Sequence, residues 1–508
     1  MSEATNERKL SMKIQFFGAA GNDVTGSANL VTITQGKRTR NLLVDCGSYQ
    51  GGEGMEDEHV SENSVINPET IDAILLTHAH LDHCGEIPYL YKMGYTGEVY
   101  ASAETLEQAS AIMYDSANIN RRKIPEDVLE KVSEIGEKTH KKAKNGKKEL
   151  RLEEDFIEQE LEGLKSVALY LEEDVDEAKR HFRPVEPLKK FKLFDGIFVR
   201  FVPNTHQNGA TSIEIYAEYH GEKKSISFSG DIGPANSYLY HKMEYEPNEE
   251  IDACVVESLH GVKEPVETFD ESVKKLKDLI KKTVLQKKKS LFIGVFALDR
   301  SALILALLNE FRQSGMNFPI WFDSPLGEIQ LRNYIDSYNK PDKVWFKEFK
   351  NDPFDYTHIH FSTYYRSHLD LVRDDTPKVV IVTSCMGYGG RITDYFEHHI
   401  QNEKAVFAFA GYLPDNSPSK IICNGENGRI IEINEYRYVK HCQSVQFHGF
   451  SSHGYYPEMM SFVNMYPNAK DIFLNHAPLA EKEDVKWQMQ QETDADVIIA
   501  RYDEVFYI

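Results

Sequence analysis

The sequence predicts an α/β protein in which a β-rich unit is interrupted by an inserted α/β unit and then resumes. Three observations predict it. The chain has 508 residues, more than one ordinary core accommodates, so two domains are expected. Its periodicity changes from short strands to alternating helices and strands at about residue 265, and to isolated ligand-type side chains after about residue 435. Finally, the stretch "IDAILLTHAHLDHCGEIP" (71–88) ends an apolar run in three histidines and an aspartate.

In chain order, "KIQFFG" (13–18), "ANLVTIT" (28–34) and "NLLVDCG" (41–47) are apolar, β-rich and punctuated by Gly and turn residues, and "IDAILLTH" is a fourth strand. Residues 103–190 turn helical and highly charged. The part from about 119 to 166 reads as a helical insertion with a solvated surface, the alternative being a partner-docking or substrate-covering arm. Strands return in "FKLFDGIFVRFVPNTH" and "KKSISFSGD". Beyond residue 265, "ESVKKLKDLIKKTV" and "SALILALLNEF" carry helical spacing, whereas "SLFIGVFA", "FPIWFDS", "KVVIVTS" and "KAVFAFAG" are buried strands of a largely parallel sheet. The domain expectation is therefore 1–261 for the first unit, 262–434 for the inserted one, and 435–508 for the return to the first.

Composition narrows the class. A hydrophobic content of 41% with 27% charged residues is that of a soluble globular chain. No apolar run approaches the length of a membrane span, and "MSEATNERKLSMKIQFF" has no apolar core of a secretory signal. Cys46, Cys84, Cys254, Cys385, Cys423 and Cys442 are scattered without a C-x-x-C pair, which fits a reduced, cytoplasmic protein. The net charge of −22 argues against global attraction to nucleic acid, so any such substrate needs a local metal site or basic groove.

The chemistry lies in the first histidine cluster. His78 and His80 alternate along an extended segment and can face one side beyond the strand end. Asp82 and His83 follow where the chain must turn, and can address a second, adjacent position. One loop can then supply two ligands to each of two metals, on the rigid base of a strand end.

"THAHLDH" resembles the signature of the metallo-β-lactamase fold, and the other family motifs follow in order: "LLVDCG" with Asp45, "PNTHQNGATS" with His206 and "SFSGDIG" with Asp231. "VVESLHG" with Glu257, "FSSHG" with His453 and "FLNHA" with His476 resemble the three motifs of the β-CASP nucleases, and "GVFALDRS", "FDSPLG" and "TSCMGYGGR" are similar to landmarks between them. The resemblance runs from about residue 13 to 508. It implies a metallo-β-lactamase αββα sandwich with an inserted α/β β-CASP domain. It implies that His78, His80 and His206 hold one metal, that Asp82, His83 and His476 hold a second, and that Asp231 bridges them. Asp45 would orient the metal loop from behind, and Glu257 with His453 would position the scissile phosphate and help protonate the leaving oxygen. The nitrogen-rich set suits two Zn2+, and the carboxylates admit Mn2+. Ser384 and Arg391, in "TSCMGYGGR" (383–391), are candidates to contact substrate phosphate, the alternative being a plain strand–helix turn.

The function implied is metal-dependent hydrolysis of single-stranded RNA, leaving a 5′-phosphate and a 3′-hydroxyl. RNA is favoured over DNA because His476 stands where the DNA-cleaving branch typically has valine. The alternatives are a hydrolase of DNA, nucleotides or another ester, and a scaffolding subunit that keeps its metals. Departures fall around the ligands rather than on them: Gly454 and Tyr455 follow His453, Ala477 and Pro478 follow His476, Cys385 replaces a glycine, and "GYLPDNSPSK" (411–420) lacks a second glycine. They suggest a divergent branch with altered substrate grip. Neither an N-terminal RNA-binding module nor a long C-terminal dimerisation domain is expected, because the motifs run close to both ends of the sequence. RNA selection is expected from the cleft, the charged insertion or a protein partner, and the sequence is compatible with a homo-oligomer. Cys84 is read as packing, and histidines such as His140, His181, His220, His358 and His398 as surface or core.

Overall fold

The computed structural model describes residues 9–49, 66–122 and 169–508. Most of the expected charged insertion, and His140 with it, lies outside the described residues.

A period of two builds the first sheet. Leu10, Met12, Ile14 and Phe16 point inward from the strand Leu10–Phe16, and Asn29–Gln35 repeats the pattern beside it. The sheet has seven strands in the spatial order Val505–Tyr507, Leu10–Phe16, Asn29–Gln35, Arg38–Val44, Ala73–Leu75, Glu98–Ser102 and Phe182–Val185. A second seven-stranded sheet runs Asp496–Ile499, Asp471–Asn475, Ala253–Glu257, Glu222–Phe228, Thr211–Tyr219, Ile197–Pro203 and Phe191–Phe194. The two pack face to face through one apolar cluster, in which Met12, Ile14, Val31 and Ile33 meet Ile197, Phe201, Ile213 and Ile215. Helix Ala103–Arg122 covers the outer face of the first sheet with Leu106 and Met113. Helices Tyr456–Asn464 and Leu479–Glu492 cover the second with Met459, Phe462, Val485 and Met489. This is the expected αββα sandwich.

The inserted unit is a six-stranded sheet in the order Ile359–Phe361, Ile320–Asp323, Val379–Val382, Ser290–Gly294, Ala405–Phe409 and Gln443–Gln446. Every neighbouring pair is parallel. The continuous apolar run of Val379–Val382 is that of a parallel strand covered on both faces. The edge strand Gln443–Gln446 lies beyond residue 434, where the sequence reading placed the return to the first unit. Its four residues carry one apolar side chain, Val445, too little period to be read as a strand. Helix Pro325–Tyr338 docks the insertion onto the sandwich: Gln330 Nε2 donates to the Gln108 carbonyl at 3.0 Å and Ser337 Oγ to Asn208 Oδ1 at 2.9 Å. Trp345 Nε1 donates to the Ala210 carbonyl at 3.1 Å. No described helix is long and apolar enough to cross a membrane.

This topology gathers strand ends. Arg38–Val44 and Ala73–Leu75 run parallel in one sheet, and Glu222–Phe228, Ala253–Glu257 and Asp471–Asn475 run parallel in the other. Their carboxyl ends fall along one edge of the sandwich: Asp45, His78, Asp231 and His476 follow four of them, and Glu257 ends the fifth.

Candidate metal centre

The loop after Ala73–Leu75 is extended through His78 and His80, then turns into the short helix Leu81–Cys84. The turn packs tightly on the preceding loop: a Cβ added to Gly47 would lie 1.7 Å from the Asp82 carbonyl oxygen. Glycine at 47 therefore lets the loop carrying Asp45 touch the ligand-bearing turn.

Two groups of donor atoms meet at Asp231. His80 Nδ1 lies 3.1 Å from His78 Nε2 and 3.0 Å from His206 Nε2. Asp231 Oδ2 is 3.3 Å from His78 Nε2 and 3.5 Å from His206 Nε2. On the other side, Asp231 Oδ1 is 3.2 Å from His83 Nε2 and 3.6 Å from His476 Nε2, and His476 Nε2 is 3.4 Å from Asp82 Oδ2. The two oxygens of one buried carboxylate thus face two separate histidine groups.

The outward nitrogens are fixed from behind. Thr77 Oγ1 is 3.0 Å from His78 Nδ1, His206 Nδ1 donates to the Ser452 carbonyl at 3.0 Å, and His83 Nδ1 donates to Asp45 Oδ2 at 2.8 Å. Asp45 Oδ1 also accepts from the Thr77 backbone N–H at 2.8 Å. Asp45 is therefore the brace of the loop, and each ring presents its remaining nitrogen to the centre.

Beside these groups, His453 Nδ1 lies 3.1 Å from Glu257 Oε2, and Glu257 Oε1 accepts from the Ile232 N–H at 2.5 Å. His453 Nδ1 is 3.9 Å from Asp231 Oδ2.

The donor set fits divalent cations. His83 Nε2 and Asp231 Oδ1 are buried without a hydrogen-bond partner. Three imidazole nitrogens facing one another cannot all be satisfied by each other, and a central cation satisfies them together. Burial lowers His78 to about 3 and His80 to about 4, and drives His206 well below its ordinary value, so these three are neutral, with lone pairs available at pH 7. Burial opposes protonation of His83 and His476 too, but the carboxylates of Asp231, Asp45 and Asp82 outweigh it and raise both. Burial also works against ionised Asp82 and Asp231, yet the neighbouring histidines hold both below the usual carboxylate range. The acidic half of the site thus calls for added positive charge. Glu257 is pushed up, by burial first and then by the charge of Asp231, while burial lowers His453 to about 4.

Every residue expected at the metal centre is brought together, with Asp45 behind it. Ser384 and Arg391 lie in the inserted unit. Ser384 is exposed at the end of Val379–Val382. Arg391 is otherwise engaged: its guanidinium pairs with Asp323 and donates to the carbonyls of Ser362 and Thr363. These contacts hold the guanidinium between the strand Ile320–Asp323 and the segment after Ile359–Phe361. Asp323 is 68 residues away in sequence, so spacing gave no sign of the pair. Cys84 is buried with Sγ toward the Ala79 carbonyl at 3.5 Å, as packing requires. Sequence reasoning missed His260, which stacks on Tyr455 with centroids 4.4 Å apart and lies 6.1 Å from the His453 ring. Its place three residues after Glu257, in "VVESLHG", was the available signal.

Fold and donor set together define a metallohydrolase-type protein whose fold binds divalent metal. Three family models match in succession: the metallo-beta-lactamase superfamily over 22–237, the Beta-Casp domain over 302–422, and the Zn-dependent metallo-hydrolase RNA specificity domain over 437–500. The chain belongs to the β-CASP family of metallo-β-lactamase-fold proteins. It is 28% identical to a ribonuclease of Thermus thermophilus over 79% of this chain and 80% of that protein. It is 24% identical to the transcription termination factor FttA of Methanococcus maripaludis over 76% of this chain, a match spanning 54% of that longer protein. It is 24% identical to cleavage and polyadenylation specificity factor 73 of Drosophila melanogaster over 98% of this chain and 65% of that protein.

Proposed function

We propose that the protein is a metal-dependent ribonuclease that hydrolyses RNA phosphodiester bonds. The observation that carries the reading is the division of Asp231, one oxygen toward His78, His80 and His206 and the other toward His83, His476 and Asp82. This arrangement supports two ions, with zinc favoured by the five imidazoles and manganese admitted by the carboxylates. Bound ions supply Lewis acidity, neutralise phosphate charge and make water a nucleophile near neutral pH.

The chain's own residues do the rest. Hydrolysis adds water across the P–O3′ bond: hydroxyl goes to phosphorus, a proton goes to the departing O3′, and the products are a 5′-phosphate and a 3′-hydroxyl. Glu257 and His453 share a hydrogen bond beside Asp231 and can pass that proton from carboxyl to imidazole to O3′. Asp45 keeps His83 Nδ1 as a donor, so Nε2 is left to face the centre. RNA as the substrate is supported by the ribonuclease relative and by the RNA-specificity family model over the segment carrying His453 and His476. A protein partner is in keeping with the relatives named for multi-subunit machinery, such as Integrator complex subunit 11 of Danio rerio.

The test is cleavage of a 5′-labelled single-stranded RNA and its DNA counterpart with zinc or manganese, beside a chelator lane and Asp82→Ala. RNA cut only with metal, and lost in a folded Asp82→Ala protein, is the expected result. No cleavage of RNA by the metal-loaded chain contradicts the reading and favours another ester.

A further inference from the structure

His260 belongs to the turn that follows the strand Ala253–Glu257, three residues beyond Glu257. Facing it is the loop 451–455, which carries His453 at its middle. The two segments meet twice. Glu257 Oε2 lies 3.1 Å from His453 Nδ1, and His260 Nε2 shares a hydrogen bond with Ser451 Oγ at 2.8 Å. Ser451 Oγ in turn accepts from the backbone N–H of His453 at 3.1 Å. The ring of His260 also stacks on Tyr455, with the planes 10° from parallel, and meets the His453 ring edge-on. One imidazole therefore grips the loop two residues before His453 and two residues after it.

The rest of the loop is held by its backbone. The Ser452 carbonyl accepts from His206 Nδ1 at 3.0 Å, the Gly454 N–H donates to the Ile232 carbonyl at 2.6 Å, and the Tyr455 N–H donates to Glu458 Oε2 at 2.9 Å. These three bonds use neither the hydroxyl of Ser451 nor the face of the Tyr455 ring, the two points that His260 takes. A hydrogen bond and an aromatic stack together fix a ring in distance and in plane. His260 itself stands outside the donor groups that face the centre.

We propose that His260 is a positioning residue for hydrolysis: it sets the loop 451–455 so that His453 stays against Glu257 with its imidazole aimed at the departing O3′. In that step hydroxyl goes to phosphorus, the P–O3′ bond breaks, and the proton that reaches O3′ passes through His453. His260 neither gives nor takes that proton. Misplacing a catalytic group by about 1 Å can cost about 100-fold in rate, so a loosened loop shows in turnover. The inference rests on the ribonuclease reading and on the part of His453 in it.

The experiment compares the parent, His260→Ala and His260→Phe at saturating metal on two substrates. One is single-stranded RNA. The other is bis(p-nitrophenyl) phosphate, whose leaving group departs as a stable anion and needs no proton. His260→Ala is expected to lower kcat on RNA about 10–100-fold with KM nearly unchanged, while hydrolysis of the aryl diester stays close to the parent's. His260→Phe keeps the stack and loses the bond to Ser451. A smaller fall is expected there, and this variant carries the test alone if the alanine variant does not fold. Equal losses on both substrates, or parent-like kcat on RNA in folded variants, overturn the proposal. RNA left intact by the metal-loaded parent refutes the ribonuclease reading instead. The imidazole NMR signals of His453 then decide the positioning: they must move in the His260 variants, and unmoved signals overturn it.

Discussion

Asp45→Asn removes one charge and almost no volume from the brace behind the metal loop. In the parent, Asp45 Oδ2 accepts from His83 Nδ1 at 2.8 Å and Oδ1 accepts from the Thr77 N–H at 2.8 Å. Asparagine keeps one acceptor, which the buried Thr77 N–H requires. It then turns its amide toward His83 Nδ1, and two donors cannot face each other. The imidazole must move its proton to Nε2, the nitrogen that lies 3.2 Å from Asp231 Oδ1. Coordination there demands the opposite tautomer. Loss of such a supporting hydrogen bond typically costs about 10–100-fold in metal affinity, or about 1.4–2.8 kcal/mol. Competitive chelation measures the affinity, and circular dichroism checks the fold. Metal affinity equal to the parent's in a folded Asp45→Asn protein would refute the reasoning, since Asp45 would then not set the tautomer of His83.

Other predictions follow from the same geometry. Glu257→Gln keeps the Ile232 N–H satisfied but cannot relay a proton, so kcat should fall by about 10²–10⁴ with metal content unchanged, as steady-state rates and metal analysis will show. Gly47→Ala forces a Cβ against the Asp82 carbonyl and should cost about 1–3 kcal/mol of stability in denaturant unfolding; an unchanged midpoint would contradict the close packing. His368 stands between Asp323 and Asp394, each at 2.7 Å, in the inserted unit. Burial works against its protonation, but the two carboxylates outweigh burial and raise it above the ordinary imidazole value. Its contribution is therefore fully present below about pH 6.5 and is lost as pH rises through the raised value. Melting temperatures from about pH 6 to about pH 9 should decline less in His368→Asn than in the parent; parallel curves would show that His368 does not titrate against these carboxylates.

Local pattern made part of this molecule legible. Residues 78–83 are neighbours in sequence, so strand alternation followed by a turn was enough to place His78 and His80 on one side and Asp82 and His83 on the other. Parallel-strand burial was readable in Val379–Val382 because both faces are apolar. Long-range pairings carry no such period. Glu257 and His453 are 196 residues apart, and their pairing came from the family motifs rather than from spacing. The pairing of Arg391 with Asp323 was likewise invisible, because Asp323 belongs to another strand 68 residues away. The strand Gln443–Gln446 was missed for want of apolar residues.

Under the proposed function, Asp231 joins two metal sites into one hydrolytic centre. The most direct test measures bound metal per chain and RNA cleavage together, for the parent and for Asp231→Ala. Two ions per parent chain are expected, with both occupancy and cleavage lost in the folded variant. Full metal content with undiminished cleavage in Asp231→Ala would contradict it.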